Sequence, residues 1–148
     1  MNLQIFKRQI VIGVGVVFFS LSIDNSLIYA NYQFTPDEAI RAIIGEASGE
    51  PFEGQVAIGE AIRKRGTLKG VYGVKAPHVD RQGKEVWEKA RRAWEVSQSS
   101  KLTDGASGWG NSEDLKQFRK TRWWKRCEVT KKIGNHYFYK ELNRKVRG

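Results

Sequence analysis

The stretch Ile43–Gln55, IIGEASGEPFEGQ, decides how the chain is read. An apolar helical run ends inside it, three acids stand among its glycines, and Pro51 interrupts it. Upstream, Thr35-Pro36-Asp37-Glu38 has the form of a capping box with proline at the first helical position. There Thr35 accepts a backbone hydrogen bond and Glu38 reaches back to the cap amide. Ile40, Ile43, Ile44 and Ala47 follow at three- and four-residue spacing, which predicts a helix with one buried stripe, ending near Ala47 before Gly49 and Pro51. A second helix is expected from Phe52 to Arg65, with Val56, Ala57, Ala61 and Ile62 inward and Gly66 as its stop. The quoted stretch is a corner between two helices.

The corner sorts the acids. Glu46 falls in the last turn of the first helix, where the negative helix end and partial burial both disfavour its ionised form. A carboxyl that keeps its proton near neutral pH is what general-acid cleavage of a glycosidic bond requires. Glu50 and Glu53 stand at the start of the second helix, where the positive end favours a carboxylate, and they read first as charge complements.

Further along, Lys69 to Val79, KGVYGVKAPHV, has glycines, a proline and no helical period, which predicts a loop with at most a short strand. From Lys84 to Ser97 the period returns, with Trp87, Ala90 and Trp94 on one face, so a third amphipathic helix with both tryptophans in the core is expected. Residues 98–112, QSSKLTDGASGWGNS, make the longest loop, and a loop of this length in a small domain is functional or mobile. A short helix is expected from Ser112 to Phe118. In the tail, Cys127, Val129, Lys131 and Ile133 alternate with Glu128, Thr130 and Lys132, ahead of Gly134-Asn135 and the run His136-Tyr137-Phe138-Tyr139. That is a β-hairpin pattern.

At the N-terminus, Lys7 and Arg8 precede the apolar run Ile10 to Leu21, and Ala30 closes a short Ile28-Tyr29-Ala30 segment. The layout is that of a secretory signal peptide over residues 1–30, and the run is short for a membrane span, which needs roughly 20 apolar residues. An exported protein, in the periplasm, cell wall or outside, is therefore expected after cleavage near Ala30, with one domain over residues 31–148; retention as an anchor is the alternative. The net charge of +10 is uneven: residues 116–148 hold 12 Lys and Arg against 2 acids, and the preceding part is balanced. With Trp123, Trp124, Tyr137 and Tyr139 interleaved, this basic tail suits an anionic wall polymer or a membrane surface.

Cys127 is the single cysteine, so no intramolecular disulfide exists. A Cys/His nucleophile would need His78 or His136; the simpler reading of Cys127 is a small half-buried hydrophobe. No His/Cys cluster has metal-ligand spacing, and there is no HExxH, phosphate loop or GxSxG. Neither a metal nor a cofactor is expected, and the chemistry falls to carboxylates.

The segment IIGEASGEPFEGQVAIGEAIRKRG resembles the signature of the spore-cortex-lytic cell-wall hydrolase family of the SleB type, whose members share a Glu-Ala-x-Gly-Glu-Pro-x-Glu-Gly-Gln-x-Ala run. The later IGNHYFYK resembles that family's Ile-Gly-Asn-His-x-Phe-Tyr ending. The resemblance spans about Asp37 to Lys140. It implies a mainly α (α+β) fold, a lysozyme-like helical domain with a small C-terminal β-hairpin. It also implies cleavage of the peptidoglycan glycan strand between N-acetylmuramic acid and N-acetylglucosamine as a lytic transglycosylase, with Glu46 at the position of the family's catalytic glutamate. One acid would then serve twice, departing from the two-carboxylate scheme of most glycosidases. A hydrolase drawing its base from Glu50 or Asp104 is the other outcome.

Contacts to the glycan or its peptides are expected at Glu50, Gln55, Tyr72, Trp109, Asn111, Asn135 and His136, since aromatic faces and amides suit pyranose rings and N-acetyl groups. Asn135 reads equally as a hairpin residue and His136 as a satisfied histidine. The chain departs from the family at Ser48, where an arginine is common, so a fixed positive charge beside the acid is lost. Two other classes compete. A non-catalytic wall-binding module would use only the basic aromatic tail. A DNA-binding helix-turn-helix would use the corner at Ser48-Gly49, but Phe52-Glu53-Gly54-Gln55 offers an acid where a recognition helix carries Arg, Lys or Asn. No nucleic-acid partner is expected.

Overall fold

The computed structural model describes residues 10–12, 15–17 and 32–142, and the chain divides into two units, Met1–Ala30 and Asn31–Gly148. In the first, β1 (Ile10–Ile12) and β2 (Gly15–Val17) pair antiparallel, with Ile10 opposite Val17. The expected cleavage point at Ala30, and the tail beyond Leu142, lie outside the described residues.

In the second unit, α1 (Pro36–Ala47) begins at the capping box: Thr35 Oγ1 accepts from the Glu38 amide at 3.2 Å, and the Thr35 amide donates to Glu38 Oε2 at 2.7 Å. Its stripe of Ile40, Ile43, Ile44 and Ala47 is buried. Each isoleucine so buried contributes roughly 1.5–3 kcal/mol, which outweighs the few tenths that helix propensity supplies. After the corner, α2 (Phe52–Arg65) is buried continuously from Gly54 to Ile62 and stops at Gly66. Buried all round its middle, α2 is the central rod, with α1 and α3 (Lys84–Val96) packed on it and on each other.

The two tryptophans of α3 differ in fate. Trp94 is 2% exposed, with the Arg63 guanidinium 3.5 Å above its ring and the rings of Tyr32 and Phe34 at its edge. Trp87, expected beside it in the core, is only half-buried. It lies near the start of α3, where its neighbour is the Arg41 guanidinium, 6.0 Å from the ring, in place of an apolar helix face.

Residues 69–82 form neither plain loop nor strand but two 3₁₀ turns, Tyr72–Lys75 and Val79–Arg81. Arg41 fastens them to α1: its Nε donates to the Val74 carbonyl at 3.3 Å, and its two terminal nitrogens take Asp80 bidentately at 2.5 and 3.2 Å.

The expected hairpin is one part of a larger sheet. β4 (Cys127–Ile133) and β5 (His136–Glu141) pair across the Gly134-Asn135 turn. A third strand, β3 (Gly108–Gly110), adds on the far side of β5, giving the order β3-β5-β4. It comes out of the long loop, and α4 (Ser112–Phe118) follows it directly. The alternation read in β4 breaks at Thr130, where the register shifts between Val129 and Lys131. Thr130 turns inward, its hydroxyl donating to the Thr103 carbonyl at 2.6 Å, and Val129 is left 41% exposed.

Candidate active site

Glu46 lies in the last turn of α1, half-buried, and both of its oxygens are held. The Gly73 amide donates to Oε1 at 2.7 Å, and Trp109 Nε1 donates to Oε2 at 3.2 Å. The donors come from the first 3₁₀ turn and from β3, so three segments far apart in sequence converge on one carboxyl.

Each donor reaches Glu46 because of glycine. The backbones of Gly45 and Gly73 touch: a Cβ on Gly45 would lie 2.5 Å from Gly73 Cα, and one on Gly73 would lie 2.7 Å from Glu46 Cγ. Only two residues without side chains let the turn come near enough for its N–H to reach the acid. In β3, Gly108 and Gly110 flank Trp109, and side chains on either would strike the Tyr139 ring and the Phe118 and Asp114 side chains. Strand alternation then sends Trp109 to the opposite face, where Phe138 is its cross-strand partner.

Glu50 has a different role from the one its position suggested. It precedes α2, is 8% exposed, and does not sit as a surface complement to the helix end. Its Oε2 accepts from the Asn135 amide at 3.1 Å, its Oε1 from Asn135 Nδ2 at 2.9 Å, and His136 Nδ1 lies 3.7 Å from Oε1. The two motifs that carried the family resemblance therefore meet at this carboxylate. Gly134, at φ +57, has Glu50 Oε2 where a Cβ would be. The corner is braced twice more: Lys89 Nζ donates to the Glu50 carbonyl at 3.1 Å, and the buried Gln55 amide donates at 3.1 Å to the Ala47 carbonyl, which also accepts from the Glu50 amide. Gln55 is 1% exposed and serves the corner. Glu53 is exposed in the first turn of α2.

Of the remaining expected contacts, Tyr72 stands 86% exposed on the turn whose next residue holds Glu46. Asn111 caps α4, its Oδ1 accepting from the Glu113 and Asp114 amides at 2.8 and 3.0 Å. Asp104 is exposed, in a left-handed backbone position at φ 50. Cys127 pairs with Glu141 and Ile133 with His136, so thiol and imidazole stand at opposite ends of the hairpin, about 20 Å apart. Burial pushes the Cys127 thiol up from its ordinary value, and no Cys/His pair forms.

One carboxylate that structures the site escaped the sequence reading. Glu60, inside α2 and 9% exposed, accepts from Ser100 Oγ, the Leu102 amide, and the Thr103 amide and hydroxyl at 2.6 to 3.0 Å. Burial alone would raise its pKa; the hydrogen bonds from Thr103, Ser100 and Leu102 outweigh that and hold it below its ordinary value. The long loop that leads into Trp109 is tied down by this acid. The signal was present, since Glu60 follows Val56 by four residues on the buried stripe.

No family model and no curated protein matches the chain. Solved structures do. The catalytic domain of the Bacillus cereus SleB protein is 25% identical, over 75% of this chain and 97% of that one, with a TM-score of 0.50. The catalytic domain of the germination-specific lytic transglycosylase SleB from Bacillus anthracis is 26% identical, over 73% and 98%, with a TM-score of 0.50. The resemblance first seen in two short motifs thus runs through nearly the whole length of both of those domains, and this chain has the lysozyme-like, mainly helical fold of the SleB catalytic domain.

Proposed function

We propose that the protein cleaves the glycan strand of peptidoglycan between N-acetylmuramic acid and N-acetylglucosamine as a lytic transglycosylase, with Glu46 as its acid and then its base. The observation that carries this reading is the Glu46 carboxyl at the end of α1, both oxygens oriented by N–H donors, on the fold of a SleB catalytic domain. Protonated Glu46 gives its proton to the glycosidic oxygen, the C1–O bond breaks, and N-acetylglucosamine leaves with a free hydroxyl. The carboxylate that remains meets the Gly73 and Trp109 donors, so its charge develops against dipoles already in place. It then takes the proton of the muramic C6 hydroxyl as that oxygen bonds to C1, which closes an anhydro ring and restores the acid without consuming water.

The engagement of the neighbouring acids supports a one-carboxyl scheme. A two-carboxylate glycosidase needs its second group free to attack or to activate water. Glu50 has both oxygens committed to Asn135, and Glu60 has both committed to the loop at 100–103. Mass spectrometry of the soluble fragments released from peptidoglycan is the direct test. Anhydro-muramic ends are expected; reducing ends would replace this mechanism by hydrolysis, and retention on walls without release would leave a binding module.

Tyr72 adds a prediction about substrate. The turn beneath it is fixed by Arg41 and by the Gly45–Gly73 contact, so the ring is held out at no further ordering cost when a sugar stacks on it. Tyr72→Ala is expected to raise KM for soluble glycan fragments roughly tenfold with kcat little changed, and Tyr72→Phe to restore it. Equal KM for Tyr72→Ala and wild type would remove the ring from the binding surface.

A further inference from the structure

We propose that the outer face of the β3-β5-β4 sheet is a second binding surface, for a phosphodiester polymer of the kind that accompanies peptidoglycan in cell walls; that choice of source rests on the function proposed above. Alternation gives the sheet two unlike faces. Trp109 and the fully buried Phe138 lie on the one turned to Glu46 and the core. Gly108, Gly110, Tyr137 and Tyr139 lie on the other. Phe118, Trp123 and Trp124 pack against Tyr139 there, with ring centroids 5.1 to 5.9 Å apart. These rings make a stiff platform, and burial pushes the Tyr139 phenol up to about 12.

The chain that lays this platform down is cationic. Arg119, Lys120, Arg122 and Lys125 are exposed along it, and Lys132, opposite Tyr137 and so on the same face, is exposed on the edge strand β4 with its ammonium 5.1 Å from the Tyr137 ring. Lys116, Arg126 and Lys140 are ion-paired with Glu113, Glu141 and Glu128, whereas none of these five has an acidic partner among the described residues. Five unneutralised cations on a rigid support concentrate positive potential, and a polyanion that meets several of them at once gains most by releasing counterions.

The same rings decide which polyanion. Phe118, Trp123, Trp124 and Tyr139 are half-buried and packed on one another, mostly edge to face, so they do not present the row of open ring faces on which single-stranded nucleic acid stacks successive bases. Val129 is the large apolar side chain left open on β4, and a bilayer needs a broad apolar face to insert. Recognition by charge alone fits a flexible chain of phosphodiesters. The surface lies on the face of the sheet turned away from Glu46, so a polymer held there leaves the acid free for the glycan.

The test is a binding measurement without turnover, by titration calorimetry of the full chain with soluble poly(glycerol phosphate) across a salt series. The expected result is saturable binding whose logarithmic affinity falls linearly with logarithmic salt. Arg119→Gln/Arg122→Gln/Lys125→Gln is expected to weaken it at least tenfold and to reduce the salt slope by about 2, given about 0.7 per phosphate contact. Lys132→Gln checks the same surface from a different strand. Both variants should keep the wild-type melting temperature and wild-type release from glycan stripped of anionic polymer. Absence of binding, or an affinity and slope untouched by both variants, would overturn the proposal. So would tighter binding to phosphatidylglycerol vesicles or to single-stranded DNA. Because the readout involves no cleavage, the protein can fail it and still cut glycan, or pass it and not.

Discussion

Glu46→Gln is expected to lower the release of soluble fragments from peptidoglycan by about a thousandfold or more, since general acid–base catalysis by one positioned group supplies roughly 10²–10⁴ and this group acts in both halves of the reaction. The substitution suits the site because it changes proton chemistry and little else. A glutamine keeps the length of the side chain and still offers one oxygen to Gly73 or to Trp109. It loses one of the two hydrogen bonds, worth about 1 kcal/mol, so the melting temperature should move by only a few degrees. Retained fold with lost release would assign the proton transfers to Glu46. Release at the wild-type rate would remove Glu46 from catalysis altogether, and the one-acid scheme with it.

The second large effect lies away from the chemistry. Glu60→Ala leaves the Thr103 amide and hydroxyl facing a buried void and the Leu102 amide with only its long 3.4 Å contact to Ser100 Oγ, and each orphaned donor costs about 1–3 kcal/mol. A destabilisation of about 3 kcal/mol or more, roughly 10 °C in melting temperature, is expected by thermal or urea unfolding. Because the folded-state pKa of Glu60 lies below its ordinary value of 4.5, its stabilisation is fully present above that value and is lost as pH falls through the folded one. Wild type should therefore lose stability in acid more steeply than Glu60→Gln, which has no proton to take up. A melting temperature for Glu60→Ala within about 2 °C of wild type would mean that the loop at 100–107 is held by other contacts.

These residues also show what can be read from a sequence. The helices were legible because their signals are local: a capping box at Thr35, isoleucines at helical spacing, a stop at Gly66. The hairpin was legible from Gly134-Asn135 between two β-prone runs. Strand β3 was not, since it is three residues long, two of them glycine, and only its pairing with β5 makes it a strand. Of the two donors on Glu46, Trp109 was visible as a contact candidate, while the Gly73 amide carries no side chain and leaves no mark in composition or period. Glu50 misled for a related reason: the charge of a helix end is a local argument, and its partner, Asn135, is 85 residues away. Local rules found the elements, and the long-range hydrogen bonds had to be seen.

The convergence at the helix corner bears on the order in which the molecule becomes able to act. Glu46 is made early, its donors follow 27 and 63 residues later, and the Asn135 brace on the adjoining corner comes 85 residues after Glu50. A growing or truncated chain that ends before β5 lacks the partner strand of β3 and the brace together. No N-terminal fragment that stops short of β5 holds the acid in its finished setting, and competence arrives with that strand.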